Sequence, residues 1–157
     1  MDGVLAGWRK GCEHLIYDEG YFLGLEENRE LIRVLYRLKR KGVKLCIISC
    51  YLPESRYAFS EKLRWLSRHF PAAEEVFLVP DGEGKGAYLK KKGIRIRKED
   101  ILLDDRSANL FEWESCGGKA VKYLNGINGS GRKWKGLRAD AESLQKIISG
   151  LKTRKGD

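Results

Sequence analysis

A chain of 157 residues supports one compact domain with a real core and is too short for two ordinary ones. Hydrophobic residues make up 42% but occur in short runs, none long enough to cross a bilayer, and residues 1–20 lack the basic start and apolar run of a secretory signal; a membrane protein is excluded and a cytoplasmic location is expected. The formal charge of +9 favours anionic partners, phosphate esters or nucleic acids, and the four cysteines, with no CxxC pair or accompanying histidines, read as reduced thiols rather than a zinc site.

In chain order, residues 26–40 place Leu31, Val34, Leu35 and Leu38 at helical spacing, with acidic residues first and basic residues last, and Gly42 ends this amphipathic helix. Val43–Ile48 then reads as a short strand buried on both faces. The unit repeats in Ser55–His69, a helix with Phe59, Leu63, Leu66 and Phe70 on one face, followed by the strand Val76–Val79. Lys85–Lys92 offers a short helix, Ile101–Leu103 a strand, Ser107–Cys116 a helix, Lys119–Leu124 a strand, and Leu144, Ile147, Ile148 and Leu151 mark a last helix. Helices alternating with short apolar strands predict a three-layer α/β/α sandwich with a mostly parallel sheet, one domain over residues 1–151 and a disordered basic tail over 152–157. Two segments stand outside this pattern: the aromatic, glycine-punctuated Tyr17–Leu25, and the glycine-rich, basic Asn125–Gly136.

Ligands of open α/β sheets bind beyond the carboxyl ends of the strands. The residues there are Ser49 after CII, Lys85 in the glycine-flanked GEGKG, and Asp104–Asp105 after ILL, with Asp2 near the start. Two adjacent carboxylates repel each other unless a cation neutralises them, which makes Asp104–Asp105 a candidate Mg²⁺ site; alternatively Asp105 caps the helix beginning near Ser107. Taken singly, Ser49 also reads as a cap or turn residue and Lys85 as a solvated lysine. Together, a hydroxyl, an ammonium and an acidic pair supply what a phosphoryl group needs during transfer.

The order Asp2, Ser49, Lys85, Asp104–Asp105 resembles that of the haloacid-dehalogenase-type phosphohydrolases, closest to the 5′(3′)-deoxyribonucleotidases. Their opening signature D-x-D-G-V-L-A is matched from its second aspartate onward by MDGVLA, and IIS (Ile47–Ser49), GKGAYL around Lys85 and ILLDDRSANLFEW (Ile101–Trp113) resemble the later motifs. The segment Gly117–Gly129 also looks like the stretch that follows in bacterial relatives. The resemblance implies a Rossmann-like fold with a small cap insert at about residues 9–30, in which Tyr21 and Phe22 either help cover a base or sugar or simply pack. It further implies catalytic roles for Asp2, Ser49 and Lys85, Mg²⁺ held by Asp2, Asp104 and Asp105, and a nucleotide pocket lined by Trp8. Gly7 departs from the usual aspartate.

In that family the aspartate two residues before the second one attacks phosphorus, and the second protonates the leaving oxygen and then activates water. The nucleophile would precede Met1, so the first, central strand is expected to be missing. Its absence would leave open edges on the strands ending at Ser49 and Asp104, and residues 1–157 are expected to be an impaired, truncated nucleotidase. Two alternatives remain. One is a non-catalytic binder of nucleotide or nucleic acid, suggested by the net charge and by Arg132, Lys133, Trp134, Lys135 and Arg138 in one segment. The other is a phosphatase of the same fold for another small phosphate ester.

Overall fold

The structure is a computed structural model that describes residues 1–127 and 133–153, the side chains of 151–153 excepted. The chain falls into two compact units, Met1–Glu83 and Gly84–Asp157.

The first unit contains α1 (Arg29–Arg40), β1 (Cys46–Tyr51), α2 (Ala58–His69) and β2 (Glu75–Pro80), preceded by a 3₁₀ turn at Glu13–Tyr17. The Asn28 side chain caps α1 by accepting the Leu31 N–H at 3.2 Å. At the other end, Gly42 takes a left-handed φ of 77°, its N–H reaches the Lys39 carbonyl, and the Val43 N–H reaches the Leu38 carbonyl. That paired closure needs a residue without a Cβ penalty, which is why the helix stops at Gly42. Leu31, Val34 and Leu38 are buried as the spacing predicts, together with Ile32, while Leu35 is half-buried.

The β1 strand starts three residues later than expected and pairs in parallel with β2, Ser49 facing Leu78 in the register. Burial on both faces does not hold along its length, since Cys46 is exposed. The expected apolar face of α2 is corrected more sharply. Leu66 and the following Phe70 are buried, but Phe59 is 46% and Leu63 37% exposed. The inward face is instead Ala58, Glu61, Lys62, Trp65 and Leu66, at the same helical period but turned around the axis. A hydrophobicity count misses it because two of the inward residues are charged and have partners waiting in the fold.

The second unit contains α3 (Lys85–Lys91), β3 (Ile101–Asp104), α4 (Ser107–Ser115), β4 (Lys119–Tyr123), β5 (Leu137–Ala139) and α5 (Ala141–Thr153). Its sheet has the order β3-β4-β5, with both pairings parallel. Leu102, Leu110, Trp113, Val121, Trp134 and Leu144 lie in its buried interior. Asp140 and Ser143 cap α5 reciprocally, the Ser143 N–H donating to Asp140 Oδ1 at 2.8 Å and the Asp140 N–H to Ser143 Oγ at 3.1 Å. The strand β5 was not anticipated, because three residues bounded by Gly136 and Asp140 give too short a signal. Of the tail expected to be disordered, Lys152 and Thr153 continue α5, and residues 154–157 lie outside the described residues, as does Arg132.

Among the described residues β1 has β2 as its ladder neighbour and β3 has β4. Each therefore has a single strand neighbour among the described residues. The architecture is α/β with parallel strands, as the alternation of elements implied.

Candidate active-site residues

Asp2 and Ser49 belong to the first unit, and Lys85, Asp104 and Asp105 to the second. In the first unit Ser49 sits within β1 rather than just past it, is buried, and its Oγ accepts a hydrogen bond from the Met1 nitrogen at 2.8 Å. The turn that follows brings the Val4, Leu5 and Ala6 N–H groups onto the Met1 carbonyl and forms a bridge between Asp2 and Ala6. Asp2 Oδ2 accepts from Lys62 Nζ at 2.5 Å, and the same ammonium reaches the Cys50 carbonyl at 2.5 Å and lies 4.6 Å above the Phe22 ring. Lys62 is buried, and burial of a charged ammonium is tolerable here because a carboxylate, a carbonyl and an aromatic face surround it. Sequence reasoning missed Lys62; the available signal was a lysine one helical turn before Trp65 on a face that otherwise buries.

The segment expected to form the cap insert is pinned to α2. Glu61 accepts the Gly20 N–H at 2.6 Å and the Phe22 N–H at 3.1 Å, Trp65 Nε1 donates to the Leu25 carbonyl at 2.8 Å, and Ser55 Oγ donates to the Ile16 carbonyl at 3.0 Å. This anchoring turns Tyr21 and Phe22 inward. Both are buried, Phe22 at 2% exposure, so Phe22 acts as packing rather than as a covering wall. Tyr21 meets Trp8 edge-on at 6.3 Å and Phe22 edge-on at 5.0 Å. Its hydroxyl is buried without a hydrogen-bond partner, and so is Asp2 Oδ1. Burial, and next the negative charge of Asp2, push the Tyr21 phenol above its ordinary pKa. Trp8 is partly exposed.

In the second unit Lys85 is the first residue of α3 rather than part of a free loop. Glu112 of α4 holds that helix start, accepting from the Gly86 N–H at 3.0 Å and the Ala87 N–H at 3.1 Å, and so places a carboxylate at the positive end of α3. A Cβ on Gly86 would sit 2.5 Å from Cys116 Sγ and 2.9 Å from Glu112 Oε1, which explains at least that glycine of GEGKG by packing. Lys85 Nζ donates to Asp104 Oδ2 at 2.5 Å, and both side chains are 6% exposed. Asp104 also accepts from the Arg106 N–H at 2.8 Å and from Asn109 Nδ2 at 3.0 Å on each oxygen. Burial alone would raise the Asp104 pKa, but the Lys85 ammonium and these hydrogen bonds outweigh it and hold the carboxyl below its ordinary value.

Asp105 accepts from Asn125 Nδ2 at 2.9 Å, and its backbone carbonyl accepts from Lys122 Nζ at 2.7 Å. Lys122 is buried and sits opposite Asp104 in the β3–β4 register. The helix α4 has Arg106 at its N-cap with no side-chain cap, so Asp105 is not the cap that the alternative reading offered.

The repulsion between Asp104 and Asp105, taken from sequence as a reason for Mg²⁺, is thus offset in part by two buried lysines. Among the described residues no group of three His, Cys, Asp or Glu side chains gathers to hold a metal. Asp104 is committed to Lys85 and Asn109 and is not a spare donor. Asp2 fits a cation in one respect, since its Oδ1 is a buried carboxylate oxygen without a partner.

The basic segment around residue 134 also changes. Trp134 is 1% exposed, donates through Nε1 to the Leu137 carbonyl at 2.8 Å and packs edge-on against Phe111 at 5.1 Å. It is a core residue and offers no face for base stacking. All four cysteines are free, and among the described residues no helix is long and apolar enough to cross a membrane.

No protein-family model matches the sequence, and no curated protein matches it. Among solved structures the chain is similar to one described as a "putative phosphoglycolate phosphatase" from Lactobacillus delbrueckii subsp. bulgaricus ATCC BAA-365, with a TM-score of 0.57 and 14% identity, over 80% of this chain and 54% of that one. The chain therefore spans about half the length of that protein. At this identity the likeness carries the fold alone, an α/β fold with parallel strands.

Proposed function

We propose that this chain carries the phosphate-handling residues of a Mg²⁺-dependent phosphomonoester hydrolase acting on (deoxy)nucleoside monophosphates through an aspartyl-phosphate. The observation that supports it best is the buried Lys85–Asp104 pair beside Asp105 at the end of β3. A lysine held by a carboxylate and seated at a helix start capped by Glu112 has a fixed position, and fixed charge is what stabilises a phosphoryl group in transfer.

In this reading a carboxylate two positions before Asp2 attacks phosphorus, and Asp2 gives its proton to the leaving ester oxygen. Asp2 then takes a proton from water, which attacks the acyl-phosphate and releases phosphate. Ser49, whose Oγ accepts from the Met1 nitrogen, keeps its hydroxyl hydrogen to donate to a phosphoryl oxygen, and in the second unit Lys85 is the ammonium suited to neutralise phosphoryl charge. Mg²⁺ when bound would supply positive charge to the phosphoryl oxygens, with Asp105 in the second unit as a carboxylate that would help hold it. Trp8, partly exposed, is the residue offered to a nucleobase.

The test is phosphate release from a panel of 5′- and 3′-nucleoside and deoxynucleoside monophosphates by the chain preceded by a short apolar strand ending in Asp. Phosphoglycolate belongs in the panel because the similar structure is described by that activity. Turnover of monophosphates supports the reading. Turnover of phosphoglycolate or another ester without any nucleotide overturns the substrate class and favours the second reading, a phosphatase of the same fold for a different small ester.

A further inference from the structure

The formal charge of +9 is not spread over the chain. Met1–Glu83 holds 13 Lys and Arg against 13 Asp and Glu and is neutral, whereas Gly84–Asp157 holds 18 against 9 and carries the whole excess. Six of those eighteen fall within nine residues, Lys90, Lys91, Lys92, Arg95, Arg97 and Lys98, with no acidic residue among them. All six are exposed.

We infer that the surface formed by the end of α3 and the segment leading into β3, residues 90–98, binds the phosphate backbone of single-stranded nucleic acid.

Helix energetics account for only part of the cluster. Basic side chains in the last turn of α3 complement its dipole, which gives Lys90, Lys91 and Lys92 a structural use. Arg95, Arg97 and Lys98 lie beyond the helix and have no such role.

The segment is also ordered by its own backbone. Gly93, at a φ of 74°, donates its N–H to the Lys90 carbonyl while the Ile94 N–H returns to Leu89, closing α3. Three residues on, the Arg97 N–H donates to Asp100 Oδ2 at 2.8 Å and the Asp100 N–H to the Arg97 carbonyl at 3.0 Å, forming a turn before β3. Cations on a backbone already held lose less entropy on binding than those of a free tail.

A basic face could serve an acidic protein as well, but two features favour nucleic acid. Tyr88 is half-exposed at the edge of the patch with Lys92 Nζ 5.6 Å from its ring centre, which sets one aromatic ring on which a base can stack beside the cations, and the exposed Ile94 adds apolar contact. The chemistry matches an alternation of phosphates and bases better than a run of carboxylates. The patch lies at the start of β3 and Asp104 at its end, about 10 Å of strand apart, so this binding is independent of the phosphatase reading.

The experiment is fluorescence anisotropy of a labelled mixed-sequence oligonucleotide with the full chain across a salt series. Two variants of equal charge are compared, Arg95→Gln/Arg97→Gln and Lys133→Gln/Lys135→Gln, with thermal unfolding run on both. The expected result is salt-dependent binding that the first variant weakens at least fivefold while lowering the log–log salt slope by about 1.4, with a clearly smaller change in the second. Arg95→Lys/Arg97→Lys, which keeps the charge, should bind within about twofold of the parent and guards against loss through misfolding. Absence of salt-dependent binding, equal loss in both variants, or equally effective displacement by poly-glutamate at matched charge overturns the inference; the last result assigns the face to an acidic protein.

Discussion

Lys85 and Asp104 form a buried ion pair at 2.5 Å, and each is the other's charge partner at 6% side-chain exposure. Removing one partner leaves the other buried and uncompensated. Lys85→Met should therefore destabilise the protein by about 3–5 kcal/mol, whereas Lys85→Met combined with Asp104→Leu should recover most of that loss. Urea unfolding of the two single variants and the double variant measures it; single-variant costs that simply add in the double would show the pair to be uncoupled.

The same pair predicts an acid limit. The Asp104 carboxyl is held below its ordinary value in the fold, so the stabilisation is present above the unfolded pKa and is lost as pH falls through the folded one. Stability should decline below about pH 4. In Asp104→Asn that part of the decline should be absent, because the group that takes up the proton is gone. Denaturant midpoints from pH 6 to pH 2 give the comparison.

Helix α2 offers a test of which face is inward. Leu66→Ala should cost about 2–5 kcal/mol and Trp65→Ala about 3–5, while Leu63→Ala, at 37% exposure, should cost less than about 1. Thermal or chemical unfolding of the three variants reads this directly. A larger loss at Leu63 than at Leu66 would restore the face expected from hydrophobic spacing.

Gly86→Ala places a methyl 2.5 Å from Cys116 Sγ and should destabilise by about 1–3 kcal/mol. Adding Cys116→Ala should return part of the loss by removing the sulfur, although the Glu112 contact at 2.9 Å remains. Unfolding midpoints of the single and double variants decide it, and no recovery in the double would place the strain elsewhere.

The sequence showed most elements because their signals are local: periodicity and Gly42 for α1, short apolar runs for β2, β3 and β4, and alternating helices between them. Charged residues in the interior were hidden. Glu61, Lys62 and Lys122 look like surface residues until the carbonyls, N–H groups and carboxylates that satisfy them are brought close by folding. The same limit applies to Trp134, which reads as a stacking platform among basic residues and is a core side chain, and to Phe22, whose neighbour Glu61 turns it inward. Lys85 and Asp104 were legible as candidates by motif order. That they are partners of each other depends on distances that no spacing encodes.

The central claim is that these acids and bases serve phosphoryl transfer through a carboxylate placed two residues before Asp2. Its most direct test is Mg²⁺-dependent phosphate release from nucleoside monophosphates, measured for residues 1–157 and for the same chain preceded by a short apolar strand ending in Asp, with Mg²⁺ present and after chelation. The account predicts turnover by the extended chain, its loss on chelation and on Lys85→Met, and little or none from residues 1–157. Equal rates from the two chains, or turnover that survives chelation, would contradict it.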